Sequence, residues 1–188
     1  MSGRHAVFLD RDGTIIEDSG YLSAAEDVRL LPGAAEAIAL LNRAGLPAIV
    51  VTNQSGIARG LLDEAAYRAT ARRLDALLAE QGAHLDAHYH CPHHPDFTGP
   101  CECRKPGVQL YRRAAEDYGL HLARSWWVGD RLRDVVPAEQ LQGQGILVGA
   151  SEPDELSAVA AGRFMVAADL AGAVEMILRP LPTRPRYD

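Results

Sequence analysis

The sequence predicts an α/β protein whose mostly parallel sheet is covered by helices on both faces, a three-layer sandwich. Three observations predict it. Short apolar runs alternate with longer amphipathic ones, the order of strand–helix units joined by crossovers. No internal repeat or low-complexity block interrupts that order. The residues equipped for chemistry stand directly after the apolar runs, where ligands bind in open parallel sheets.

The elements follow in order. Residues 5–9 form a first buried strand, and 33–44 a helix entered after Pro32 and ended by Gly45. PAIVV at 47–51 is the second strand. Residues 63–81 carry Leu74, Leu77 and Leu78 at helical spacing, with Asp63 as N-cap and Gly82 past the end. A third strand covers 84–90. Pro106 opens a helix reaching Tyr118, because the fixed φ of proline suits a first turn. Strands at 126–129, 145–148 and 163–166 and a last helix at 168–178 complete one domain over 1–178, with a loose tail over 179–188.

A chain of 188 residues buries roughly 70% of its unfolded surface and needs no disulfides to fold. The 25 acidic residues outnumber the 19 basic ones, a formal net charge of −6. With no long basic run, that balance argues against a dedicated nucleic-acid binder. No apolar run approaches the ~20 residues of a membrane span, and MSGRHAVFLDRDG lacks a signal-peptide core. The expectation is a soluble, cytoplasmic monomer with neither nucleic acid nor membrane as partner. Its basic residues are eighteen arginines and a single lysine, Lys105.

Asp10-Arg11-Asp12-Gly13-Thr14 follows the first strand. Two carboxylates two residues apart at a strand end can converge on one hard cation such as Mg²⁺, which takes oxygen ligands and keeps positions open for water and phosphate. One carboxylate there can attack phosphorus; the other can protonate the leaving oxygen and later activate water. The bland alternative is a polar loop that caps a strand. After the second strand, the Thr52 hydroxyl and free backbone N–H groups can hold phosphate oxygens, or form an ordinary turn. Lys105 is a compact point charge in a chain that otherwise uses the planar arginine fork. A bias towards arginine should have replaced a lysine kept only for solubility, so Lys105 reads as a functional contact; the alternative is a chance surface lysine. Asp130, after the fourth strand, can complete the oxygen site. Asp134, one helical turn on, either orients that site or is a first-turn acid favoured by the helix dipole.

All three cysteines fall within thirteen residues, in Cys91-Pro92-His93-His94 and Cys101-Glu102-Cys103. Three thiolates and an imidazole make a tetrahedral Cys₃His zinc site, here Cys91, His93, Cys101 and Cys103. With four protein ligands the zinc is structural, and it fixes the loop 91–103 that delivers Arg104 and Lys105. His94 is the alternative imidazole, and a Cys101/Cys103 redox pair is the alternative chemistry. His88 and His90 serve the strand.

DRDGT, the Thr52 turn, Lys105 and GDRLRD stand in the order of the four motifs of the haloacid dehalogenase (HAD) superfamily, which this chain resembles over positions 10–134. The Cys-His-Cys-Cys loop makes it similar to the zinc-containing subgroup. Within that subgroup, DSGYLSAAED and TNQSGIARG resemble the heptose bisphosphate phosphatases. The resemblance implies a HAD-like Rossmannoid fold without a large cap domain. It implies Asp10 as nucleophile and Asp12 as general acid/base, with Thr52 and Lys105 on the transferred phosphoryl group. Mg²⁺ would be held by Asp10, the Asp12 carbonyl and Asp130. Asp18, Ser19, Gly20, Tyr21, Asn53, Gln54, Ser55, Arg104 and Arg131 match substrate-contacting positions. The implied reaction is Mg²⁺-dependent hydrolysis of a sugar phosphate, removing the 7-phosphate of a heptose 1,7-bisphosphate. KPGVQL after Lys105 has the length seen in histidinol-phosphate phosphatases; that substrate, or a broad set of sugar phosphates, is the alternative.

Overall fold

The computed structural model describes residues 3–179, so the expected tail lies outside the described residues apart from Arg179. Among the described residues six strands form: β1 (Val7–Leu9), β2 (Ala48–Asn53), β3 (Ala87–Cys91), β4 (Trp126–Gly129), β5 (Gln144–Val148) and β6 (Met165–Ala167). They make one sheet in the order β3-β2-β1-β4-β5-β6, and every pairing is parallel. The order reverses about β1, which lies between β2 and β4. This is the point where loops diverge and open a crevice beyond the strand ends.

Eight α-helices accompany the strands among the described residues: α1 (Ala34–Arg43), α2 (Ser55–Ala58), α3 (Glu64–Ala79), α4 (Pro95–Thr98), α5 (Gln109–Tyr118), α6 (Leu132–Gln140), α7 (Pro153–Ala160) and α8 (Leu170–Leu178). Alternation along the strands sorts the core into two layers. Val7, Leu9, Ala48, Val50, Trp126, Val128, Ile146 and Val148 face Ile38 and Leu41 of α1, Leu74 and Leu78 of α3, and Val174 and Ile177 of α8. Phe8, Ile49, Val51 and Trp127 face Leu110, Tyr111 and Ala114 of α5 and Ala138 of α6. Leu147 packs with Val135 of α6 and Ala158 of α7.

Local signals behave as expected where the chain supplies them. Asp63 caps α3 by accepting from the Ala66 N–H at 2.8 Å, and Asp169 caps α8 by accepting from Gly172 N–H at 2.9 Å. The helix expected from Pro106 starts three residues later, at Gln109, because the chain first makes a turn closed by Gly107 N–H donating to the Arg104 carbonyl at 2.7 Å. Helices α2, α4 and α7 are short and carry little periodicity. Pro137 sits inside α6, on its buried side, at a position where the sequence discourages a helix. Among the described residues, no helix is long and apolar enough to cross a membrane.

Candidate active site

The ends of β1 and β2 and the start of α6 border a cavity of about 310 Å³. Asp10, Asp12, Asp18, Gly20, Tyr21, Thr52, Asn53, Gln54, Ser55 and Lys105 line it, together with Gly56 and Arg133. Of the residues singled out as substrate contacts in the sequence, Ser19, Arg104 and Arg131 do not line it. Arg104 instead donates to the His93 carbonyl at 3.2 Å. Arg131 turns to Asp130 at 3.3 Å and to Glu152 and Glu155 at 3.5 and 3.7 Å.

Lys105 is 3% exposed and reaches the floor of the site. Its Nζ lies 2.6 Å from Asp10 Oδ1, 2.7 Å from the Val51 carbonyl and 2.7 Å from Asp134 Oδ1. Burial alone would pull its pKa down; the Asp10 and Asp134 carboxylates outweigh this and raise it, so the ammonium stays charged. Asp134 bridges the start of α6 and the buried lysine. Its Oδ2 accepts from the Arg131 N–H at the start of α6, and its other oxygen meets Lys105.

Asp10, Asp130 and Asp134 bring carboxylate oxygens within 4.8 Å of one another. Burial, then Asp10 and Asp134, push the Asp130 carboxyl up to about 7. Burial and Asp10 raise Asp134 as well. Asp130 Oδ1 is buried and has no hydrogen-bond partner among the described residues. Crowded anions around an unpartnered oxygen fit a hard divalent cation, which would relieve the repulsion and supply the missing partner. Gly13 permits the crowding: its φ is +80°, and a Cβ there would come within 2.5 Å of Asp130 Oδ2.

Asp12 is held from several sides. The Arg11 guanidinium takes both its oxygens, Nε to Oδ2 at 3.1 Å and Nη2 to Oδ1 at 2.9 Å. Gln54 Nε2 donates to Oδ2 at 3.0 Å and to Thr52 Oγ1 at 2.9 Å. The Thr52 hydroxyl is 3.4 Å from the same Oδ2. Burial raises the Asp12 pKa despite Arg11. Asn53 Nδ2 and Oδ1 both engage the Lys105 backbone.

The second cluster brings Cys91, Cys101 and Cys103 Sγ and a His93 ring nitrogen within 4.8 Å. The sulfurs are 3.0, 3.5 and 3.7 Å apart, too far for an S–S bond of about 2.05 Å. They are near the roughly 3.8 Å edge of a tetrahedron with 2.3 Å metal–sulfur bonds. His93 Nδ1 lies 3.2 Å from Cys103 Sγ. Burial pushes the Cys91 and Cys103 thiols up, whereas the Arg104 backbone and the neighbouring cysteines lower Cys101 despite its burial; a cation would hold all three as thiolates. The donor set suits a soft or borderline metal. His94 is turned elsewhere, with Nδ1 accepting from Asp96 N–H and Nε2 meeting Arg59 at 2.8 Å. His88 and His90 pair with Asp75 and Glu64.

Sequence reasoning missed Arg133 and the side chain of Arg11. Both lie inside recognised motifs, as intervening residues. Nothing in the spacing says which way such a side chain turns.

Comparison with known proteins follows the same lines. The profile described as HAD-hydrolase-like matches residues 102–173. The chain is 38% identical over 183 residues to the D-glycero-beta-D-manno-heptose-1,7-bisphosphate 7-phosphatase of Photorhabdus laumondii, covering 93% of this chain and 97% of that one. It is 36% identical over 183 residues to the enzyme of the same name from Escherichia coli K12, covering 93% and 96%. The crystal structure of the D,D-heptose 1,7-bisphosphate phosphatase of B. bronchiseptica, complexed with magnesium and phosphate, superposes with a TM-score of 0.82. Its identity is 37%, and the match covers 93% of this chain and 98% of that one.

Proposed function

The chain belongs to the HAD-like phosphatases, and on that premise we propose that it removes the 7-phosphate of D-glycero-D-manno-heptose 1,7-bisphosphate through an aspartyl-phosphate on Asp10. The observation that carries the chemistry is the buried contact of Lys105 with Asp10 at 2.6 Å, at the floor of a polar cavity shared with Asp12 and Thr52. The full-length relatives named for this substrate support its identity.

In the first step an Asp10 oxygen forms a bond to phosphorus as the bond from phosphorus to the sugar oxygen breaks, and Asp12 gives its proton to that oxygen. In the second, Asp12 takes a proton from water, the water oxygen bonds phosphorus, and the Asp10–phosphorus bond breaks. Lys105 and Thr52 offer preorganised donors to the phosphoryl oxygens, where most of such catalysis resides. Mg²⁺ held by Asp10, the Asp12 carbonyl and Asp130 would add positive charge at those oxygens. Zn²⁺ on Cys91, His93, Cys101 and Cys103 would pin the loop that ends two residues before Lys105. Arg104 and Arg131 reach the sugar or its second phosphate only by leaving their present partners. Residues 1–178 act as one phosphatase domain, a reading supported by the packing of α8 back onto α1, and the protein works as a cytoplasmic monomer.

Side-by-side kcat/KM values on the two heptose 1,7-bisphosphate anomers and on histidinol phosphate test the substrate. A clear preference for a heptose bisphosphate is expected. A preference for histidinol phosphate transfers the site to that substrate, in line with the length of KPGVQL.

A further inference from the structure

Arg11 is an intervening residue of the first motif, and its guanidinium is 1% exposed. A buried charge of this kind requires a partner. Among the described residues its only ion pair is with its neighbour Asp12, whose two oxygens it takes through Nε and Nη2. Its third group, Nη1, donates to Thr70 Oγ1 on α3 at 3.2 Å. That hydroxyl is itself aimed, because it donates to the Tyr67 carbonyl at 2.8 Å. The guanidinium stands over the Tyr67 ring at 5.4 Å, and His90 of β3 packs against the same ring at 4.0 Å. The Arg11 carbonyl accepts from Ile15 and Ile16 N–H at 2.9 and 3.1 Å. Main chain and side chain are therefore both anchored, and the fork has one direction left in which to point.

From this we infer that Arg11 is a positioning residue for leaving-group protonation, with Thr70 and Tyr67 as its backstop. It fixes the Asp12 carboxyl so that Oδ2 faces Thr52 and Gln54 in the cavity. The inference rests on the reading of Asp12 as general acid. Two parallel N–H···O contacts fix a carboxylate's rotation as well as its place, which a lysine point charge cannot do. A residue that only held the loop together would affect all substrates alike. One that aims an acid matters in proportion to how much the leaving oxygen needs a proton.

The test is therefore the leaving group. Values of kcat/KM, which report only the steps through the first P–O cleavage, are measured for p-nitrophenyl phosphate and for an alkyl phosphate that the wild type hydrolyses. The proteins are the wild type, Arg11→Lys, Thr70→Val and Asp12→Asn, each with its thermal midpoint recorded. Arg11→Lys is expected to lose about 100-fold on the alkyl ester, within the usual range for general-acid catalysis, and less than about 10-fold on the nitrophenyl ester. Thr70→Val is expected to show the same asymmetry at smaller amplitude, and it keeps the test open if Arg11→Lys does not fold. Equal losses on both esters in Arg11→Lys or Thr70→Val, with Asp12→Asn asymmetric, overturn the role of Arg11 alone. Equal losses in Asp12→Asn overturn the general-acid reading beneath it.

Discussion

Asn53 and Lys105 clasp each other across 52 positions of sequence: Asn53 Nδ2 donates to the Lys105 carbonyl at 3.2 Å, and the Lys105 N–H donates to Asn53 Oδ1 at 2.9 Å. The clasp ties the end of β2 to the turn that carries the only lysine. Asn53→Ala strands both backbone groups. At about 1 kcal/mol per bond, the expected loss of stability is about 2 kcal/mol in urea unfolding. A fall in kcat should accompany it as Lys105 loosens. Unchanged kcat and unchanged unfolding midpoint would contradict the role given to the clasp.

Lys105→Arg keeps the charge and changes its shape. The three oxygens around Nζ surround a point, whereas a guanidinium donates in a plane. The larger group also replaces a side chain that is 3% exposed, at a cost of about 1–3 kcal/mol where its neighbours must shift. A loss of about 100-fold in kcat is expected, the size seen when one preorganised donor is removed. An unaltered rate refutes the reading of the lone lysine.

Asp10→Asn should reduce phosphate release to background while circular dichroism and the metal content of the cysteine site stay as in the wild type. The amide fills the same space but does not attack phosphorus. Near-normal turnover removes Asp10 as nucleophile.

Gly13→Ala places a methyl on a backbone with φ +80° and against Asp130 Oδ2. The left-handed backbone costs an alanine roughly 1 kcal/mol, and Asp130 must move. The Mg²⁺ concentration giving half-maximal activity should rise, which a magnesium titration measures. Half-saturation at the wild-type concentration would show that Asp130 takes no part in holding the cation.

Purified protein should carry one zinc per chain by elemental analysis. Cys103→Ser removes one of four ligands and should lose that zinc with a clear drop in thermal midpoint, since structural zinc contributes its binding energy to folding. A metal-free wild type with an unchanged midpoint in the variant leaves the cluster without a metal role.

Much of this was legible from local patterns. β4 falls at 126–129, where the apolar run predicts it, and Asp63 caps α3, because both signals are contained in a few consecutive residues. The carboxylates at 10 and 12 and the Cys-x-His and Cys-x-Cys pairs are likewise close in sequence. Their approach requires only a turn. Less legible were α6, which runs unbroken through Pro137 although proline disfavours a helix interior, and the start of α5, displaced by the turn at Gly107.

By itself the sequence determined the architecture, the order of the motifs and the list of groups at the strand ends, since each depends on periodicity or on spacing within one segment. Only the tertiary structure decided which side chains meet. Asp134 joins Lys105, Gln54 turns to Asp12, Arg133 lines the cavity, and Arg104 and Arg131 do not. The physical reason is that a buried charge settles on whatever counter-charge or dipole the packing brings to it. For Lys105 that partner came from 95 residues away, and for Arg11 it was next door, where a backstop on α3 turned the fork back onto Asp12.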